Sequence, residues 1–406
     1  MARIFIVSIG RLIIGWLTRI LRLNKFPGSA GELTNEWLTE ILRKNEIPED
    51  VLITGFSVEP IGDPGALSEV VRIGLKYNKE CAQAPSSLIG KFRAESWLIW
   101  MYGHSAGLYY NEFQFFKQLA TKAGDLVPRC YAAEFSGICK NFVLLHEDLA
   151  DLRLGEALVS NPDDSQLMLE KIAPFHAYWW DHPDLDTFDW MLNRGKEQCR
   201  EAFSMLRPQL MNTLSVAEKQ FKSSMPDKAW RAYEKYLARM DEIFEYDIDN
   251  TPYPLTIYHG DYHYQQCFFP TDINPRFAVV DWQIASIGPA AIDVARVLLA
   301  LSPEDRRTHE KSLVENYYKT LKEYGIKGYS LEQLWECIYI SSFPQAMILI
   351  GLAGGSQILE KIEKTVVGRN IIEEILFRLG SGLVDWDVSM ALDQYLERAS
   401  TAHRKT

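Results

Sequence analysis

Residues 255–283, LTIYHGDYHYQQCFFPTDINPRFAVVDWQ, constrain the fold of this 406-residue chain more than any other stretch. Three short apolar runs, LTIY, CFF and FAVV, read as strands separated by polar turns. The first turn carries His259, Asp261 and His263, and the last strand delivers Asp281. The hydrophobic period differs on the two sides of this insert. Upstream, residues 53–78 and 87–92 alternate as a small antiparallel sheet, ITGFSVEPI, VVRIGLKYN and SLIGKF, with the turn GDPGALSE after the first run. A helix starts near Thr34, YYNEFQFFKQLAT at 109–121 resumes the helical period, and NFVLLHEDL at 141–149 is an apolar strand. Helical patterns then dominate, at 165–181, 187–206, 227–245, 290–301, 308–324, 331–352 and 384–399. The apolar stretch at 337–355 contains Pro344 and three glycines, so it reads as a kinked core helix rather than a membrane span.

The pattern predicts an α+β chain in three parts: a basic segment and linker over 1–31, a strand-rich part over 32–148, and a mostly helical part over 149–406. Residues 3–23, RIFIVSIGRLIIGWLTRILRL, are largely apolar, and through Lys25 the chain carries Arg3, Arg11, Arg19, Arg22 and Lys25 with no acid. Arg11 and Arg19 interrupt the apolar run too often for a simple spanning helix. On a helical wheel the cations gather on one side, the pattern of an amphipathic helix lying in a membrane interface. A cleavable organellar presequence and a helix docked on its own domain fit the same pattern. Peripheral membrane contact through 3–23 is therefore an expectation, with a cytoplasmic or membrane-peripheral location and organellar import left open. The formal charge of the whole chain is −11, which argues against a nucleic-acid-binding surface. The six cysteines show no CxxC spacing and read as free thiols.

A single strand-terminal Asp commonly does no more than cap a turn. Two such carboxylates on loops 20 residues apart suit phosphoryl transfer, in which one orients the attacking hydroxyl and the other holds Mg²⁺. The spacing His259-x-Asp261-x-x-x-x-Gln266, followed by an apolar strand and Asp281-Trp282-Gln283, is that of the paired catalytic and metal loops of kinases.

On these residues, with His263, the chain resembles the aminoglycoside and choline phosphotransferase superfamily, most nearly its ecdysteroid kinase-like (choline kinase-like) branch. The resemblance covers about residues 32–400 and implies a two-lobed protein-kinase-like fold with a small β-rich N-lobe and a larger, mostly helical C-lobe. It implies Asp261 as catalytic base, Asp281 and Gln266 as Mg²⁺ ligands and His259 as a loop organiser. Asp293, in GPAAIDVARVLL, matches the family's Asp that braces the catalytic loop, although a helix N-terminal Asp is equally natural there.

A nucleotide site also needs a cation for the α and β phosphates of ATP, held by an acid on a neighbouring helix. Lys91 in SSLIGKF and Glu112, 21 residues on, fit that pair. Gly62, Gly65 and Ser68 of the turn GDPGALSE can offer backbone N–H groups to phosphates, or form a plain hairpin loop. Glu147 and Leu149 lie in the segment LHEDL that matches the family's adenine-binding hinge. Gln266 stands where the family usually has Asn, one methylene shorter, which shifts its amide oxygen relative to a metal that demands near-octahedral geometry. Aromatics cluster at Tyr178, Trp179, Trp180 and Trp190, near His176 and Asp181; they read as a cation–π box, an apolar wall or plain core. The expected activity is ATP- and Mg²⁺-dependent phosphorylation of a small, rather apolar alcohol. The alternatives are a choline/ethanolamine- or aminoglycoside-type kinase, and a membrane-associated pseudokinase scaffold.

Overall fold

The structure, a computed structural model, describes residues 25–45, 47–61, 67–138, 140–156, 158–250, 252–354 and 366–403. The basic segment 3–23 and the glycines Gly62 and Gly65 lie outside the described residues. Two compact units emerge: one runs up to Asp151 and includes Ala278–Gln283, and the other comprises Leu152–Phe277 and the described residues from Ile284 onward. The hexapeptide Ala278–Gln283, which belongs by sequence position to the helical part, thus packs with the first unit.

The first unit is built on five antiparallel strands in the order β1-β2-β3-β5-β4: β1 Ile53–Pro60, β2 Ser68–Tyr77, β3 Ser87–Arg93, β4 Cys130–Ser136 and β5 Asn141–Glu147. Alternation sorts the side chains of β3. Leu88 and Phe92 join a core made with Leu38, Ile41 and Leu42 of the helix Asn35–Asn45, while Lys91 points to the opposite face of the pleat. Thr34 begins that helix as expected, its hydroxyl accepting from Trp37 N–H at 3.1 Å. Strand β5 is buried at its first six positions, as an apolar central strand should be. Strand β4 has no counterpart in the sequence expectations. Its Ala132 and Ala133 carry little strand preference, and pairing with Leu145 and Leu144 of β5 overrides it.

The second unit is mostly helical. Helix Ala291–Ala300 is buried from Ala291 to Leu299, so Asp293 and Arg296 are charged groups inside an otherwise apolar helix. Helix Leu331–Gly354 is long and apolar enough over Leu331–Gly351 to cross a membrane by length and composition, yet about two thirds of that window is buried, including Phe343, Ala346 and Leu349. Two expectations are corrected and one helix is added. Thr187 ends a 3-10 turn and residues 188–196 are not helical, because Leu192–Arg194 pair with Ile287 instead: Arg194 N–H donates to Ile287 O at 2.9 Å, and Ile287 N–H to Leu192 O at 2.8 Å. The pattern over 227–245 divides at Arg239 into Asp227–Ala238 and Met240–Asn250. A helix at Val366–Asp385 has no counterpart in the sequence expectations, its Gly380 and Gly382 resembling breakers. They serve packing: a Cβ at Gly380 would lie 2.2 Å from Met225 Cγ, and one at Gly382 2.4 Å from Leu299 Cδ2.

Candidate functional site

In the first unit the sequence-predicted pair meets. Lys91 Nζ lies 2.8 Å from the Glu112 carboxylate and 2.7 Å from Asp281 Oδ1, although the latter is 190 positions away. Glu112 comes from the helix Leu108–Gln118, whose buried stripe Tyr109, Glu112, Phe115 and Phe116 lies against the sheet face carrying Lys91. The Asp281 segment is tied to the same helix. Trp282 stacks on Phe115 with centroids 4.2 Å apart and planes 11° off parallel, and Asn111 Nδ2 donates to Gln283 O at 2.8 Å. The aromatic residue of the DWQ motif is therefore an anchor. Asp281 has φ 67°, a left-handed conformation that Asp tolerates better than most side chains.

The cluster holds two carboxylates and one ammonium, a formal −1 in a site where Glu112 is 1% exposed and Lys91 12%. Burial pushes the Glu112 carboxyl up, opposed by Lys91 and reinforced by repulsion from Asp281. Burial alone would lower the Lys91 ammonium, but its two acidic partners outweigh that and raise it.

The remaining nucleotide-side expectations are placed less completely. Ser68 opens β2, with its hydroxyl buried and without a hydrogen-bond partner among the described residues. Glu147 N–H donates to Arg129 O at 2.9 Å, and the Glu147 carboxylate accepts from Arg129 N–H at 2.8 Å, so both groups are engaged within the sheet. Leu149 is buried beyond the end of β5. Between them Asp148 receives Arg72 Nε and Ser87 Oγ, each at 2.7 Å.

In the second unit the loop His259–His263 leaves the short strand Thr256–Tyr258, which pairs with Ser286–Gly288. Gly260 has φ 93°, and a Cβ there would fall 2.9 Å from Ile284 O, so this position requires glycine on two counts. The fully buried Asp293 accepts backbone N–H groups from His259 at 2.7 Å and Gly260 at 2.9 Å, and also contacts His176 Nε2 at 3.2 Å. Gln345 Nε2, from the helix Leu331–Gly354, donates to Gly260 O at 2.9 Å and Ile292 O at 3.1 Å. The Gly260 peptide is thus pinned at its N–H and at its C=O. His259 is buried, and its Nδ1 accepts from Asp261 N–H at 3.3 Å.

This frame presents Asp261, whose side chain is about one quarter exposed (27%). Arg296 donates to Asp261 Oδ1 from Nε at 3.2 Å and Nη2 at 3.0 Å, and His263 Nε2 lies 3.2 Å from Oδ2. Burial would raise the Asp261 carboxyl. The charges of His263 and Arg296, with the His263 hydrogen bond, outweigh burial and hold it well below the usual carboxylate range. Gln266 closes a short 3-10 turn over Tyr264–Gln266 and is partly buried, with its N–H donating to His263 O at 2.9 Å.

Arg296 and Gln345 are absent from the sequence expectations. A lone Arg in the apolar run AIDVARVLL, one helical turn after Asp293, is a signal that points to Arg296; Gln345 next to Pro344 offers none. The aromatic residues divide: Tyr178, Trp179 and Trp190 connect directly or through His182 and Phe188, whereas Trp180 packs against Tyr329. His176 belongs to the Asp293 brace, and Asp181 pins Leu255, accepting its N–H at 2.8 Å.

Among the described residues no three His, Cys, Asp or Glu converge as an all-protein metal cage.

A family model, DUF1679, described as "uncharacterized oxidoreductase dhs-27", matches residues 198–379, a range containing both the HGD and the DWQ motif. An uncharacterized kinase-like protein of Caenorhabditis elegans is 26% identical over 226 residues; the match covers 53% of this chain and spans 56% of that relative's length. A protein assigned as an aminoglycoside phosphotransferase from Ralstonia eutropha superposes with a TM-score of 0.50 at 16% identity, covering 88% of this chain and 98% of the other. A choline kinase from Cryptosporidium parvum gives 0.53 at 11% identity, covering 89% and 99%. These two likenesses establish the kinase-like fold, an N-terminal antiparallel sheet followed by a larger helical part.

Proposed function

We propose that this chain is an ATP- and Mg²⁺-dependent small-molecule O-phosphotransferase, of the ecdysteroid kinase-like branch, that phosphorylates an alcohol hydroxyl. The observation that carries the reading is the convergence of Lys91, Glu112 and Asp281, three residues scattered over the sequence, on one charged cluster. Phosphoryl transfer is catalysed mainly by positioning and charge, and the first unit supplies both. Lys91, oriented by Glu112, is placed to receive α and β phosphate oxygens. Bound Mg²⁺ would supply neutralisation of phosphate charge, with Asp281 as its protein oxygen donor in this unit.

The acceptor side is assigned to Asp261. A carboxylate held this far below its usual range is a weak base, so it orients the acceptor hydroxyl through a hydrogen bond and takes the proton late, as bonding to phosphorus advances. Arg296 keeps it ionised, and Asp293 with Gln345 keeps the loop peptide in register. The wording of the matched family description suggests a different chemistry, redox transfer. The sequence contains no G-x-G-x-x-G, the fingerprint of a dinucleotide-binding turn.

The test is ADP release by purified protein with Mg²⁺-ATP, offered a panel of alcohols that includes choline, ethanolamine, aminoglycosides and apolar alcohols. Acceptor-dependent release supports the reading. Nucleotide binding with no turnover on any acceptor points to the pseudokinase that the longer Gln266 would favour, and oxidation of a nicotinamide cofactor instead of ATP use overturns the assignment.

A further inference from the structure

Near its end strand β5 carries a buried histidine that phosphoryl transfer does not use. His146 is 7% exposed, and its Nε2 has no hydrogen-bond partner among the described residues. A buried polar atom left unpaired costs stability until something binds it. Its place on the sheet indicates what that is. His146 stands opposite Ile89 of β3, and Leu144 stands opposite Lys91. Paired residues project to one side of a sheet and alternate residues share it, so His146 lies on the face that carries Lys91. The helix Leu108–Gln118 crosses that face with two residues one turn apart. Glu112 holds the Lys91 ammonium, and Phe116 lies on the His146 ring with centroids 4.3 Å apart. The imidazole is thus the next rung along from the charged cluster.

Burial, with the Lys91 charge, pushes the imidazole down to about 3, so the ring is neutral and holds one N–H and one lone pair. Lys91 is the charge that bears on it, and a positive charge favours a lone pair over an N–H on the face they share. The next step rests on the phosphotransferase reading: a nucleotide whose phosphates lie at Lys91 has its base within reach of the same sheet face. The main chain offers that base less, because Glu147 N–H is already given to Arg129 O. Adenine carries an amino donor at C6, where guanine carries a carbonyl oxygen that a lone pair repels. We propose that His146 Nε2 accepts a hydrogen bond from the adenine amino group and so selects adenine over guanine nucleotides.

The test reads binding rather than turnover. Full-length protein is titrated by calorimetry with the Mg²⁺ complexes of ATP, GTP and purine riboside triphosphate, which is ATP without its amino group. The protein is expected to bind ATP about tenfold or more tightly than either of the others. His146→Leu, which removes the nitrogen, should weaken ATP about tenfold and leave purine riboside triphosphate nearly unchanged. Without nucleotide this variant should melt no lower than the parent, since an apolar group replaces an unpaired buried nitrogen; a merely structural histidine would lose stability and weaken all three nucleotides alike. Should His146→Leu melt lower, His146→Gln decides. Its amide presents an oxygen to adenine or an N–H to guanine, so it should keep ATP binding and gain GTP binding, and an unchanged ATP-to-GTP ratio overturns the proposal. Equal binding of ATP and purine riboside triphosphate by the parent protein, or a preference for GTP, also overturns it and leaves the phosphotransferase reading standing. Binding of none of the three overturns both.

Discussion

The clusters at Asp281 and Asp261 both set carboxylates against cations, but in opposite proportion. At Asp281 one ammonium is shared by two acids, leaving negative charge in excess. At Asp261 one acid is shared by a guanidinium and an imidazole. A site with surplus negative charge attracts a further cation, whereas a carboxylate that has a guanidinium to itself and an imidazole beside it is fixed in the ionised state and is a poor proton acceptor. Chemical role therefore follows from the ratio of partners, since the two key residues are the same amino acid. The clusters also differ in how the chain assembles them: Lys91, Glu112 and Asp281 span 190 positions, while His259 to Arg296 span fewer than 40.

The comparison breaks most visibly in turnover. Asp261→Asn is expected to cut kcat by about 10²–10⁴ while nucleotide affinity, measured by calorimetry, stays nearly constant. Asp281→Asn is expected to weaken Mg²⁺-ATP binding itself, so equal losses from the two changes would merge the roles separated here. Next come Lys91→Ala and Glu112→Ala. Each should impair ATP use, and the double variant should cost much less than the sum; additive losses would deny that they act as one unit.

Replacing Arg296 by Met sharpens the contrast. With its folded-state value depressed, Asp261 stays ionised as pH falls through the ordinary carboxylate range, so it does not set the acid limb of kcat/KM there. Removing the guanidinium should raise that carboxyl towards the ordinary range, read directly from the pH titration of its side-chain carbon by NMR; an unmoved titration would make Arg296 structural only. The smallest expected effect is on stability. Gly260→Ala forces a side chain into a left-handed backbone and against Ile284 O, a cost of about 1–3 kcal/mol readable in a urea midpoint.

These differences also explain what could be read before the fold. His259, Asp261 and Asp281 were legible because strand, turn and carboxylate recur at fixed short spacing. Lys91 and Glu112 were legible as a pair only through the order of strand and helix, and the structure joins them because β3 alternates and the helix carries Glu112 on its buried stripe. Arg296 was within reach, since an Arg one turn beyond an Asp in a wholly apolar helix must find a buried partner. Gln345 was hidden, because a brace to a distant carbonyl leaves no periodic trace. Strand β4 and the helix Val366–Asp385 were missed for one reason: alanines and glycines look indifferent until the neighbour that presses on them is known.

The left-handed backbone at Asp281 carries a consequence for inheritance. One base change turns an aspartate codon into asparagine or glycine, the two residues best suited to that conformation. Descent can therefore delete this carboxylate in one step and leave the fold at ease, so that catalytically silent copies of such a chain would persist as well-folded proteins rather than be lost to degradation.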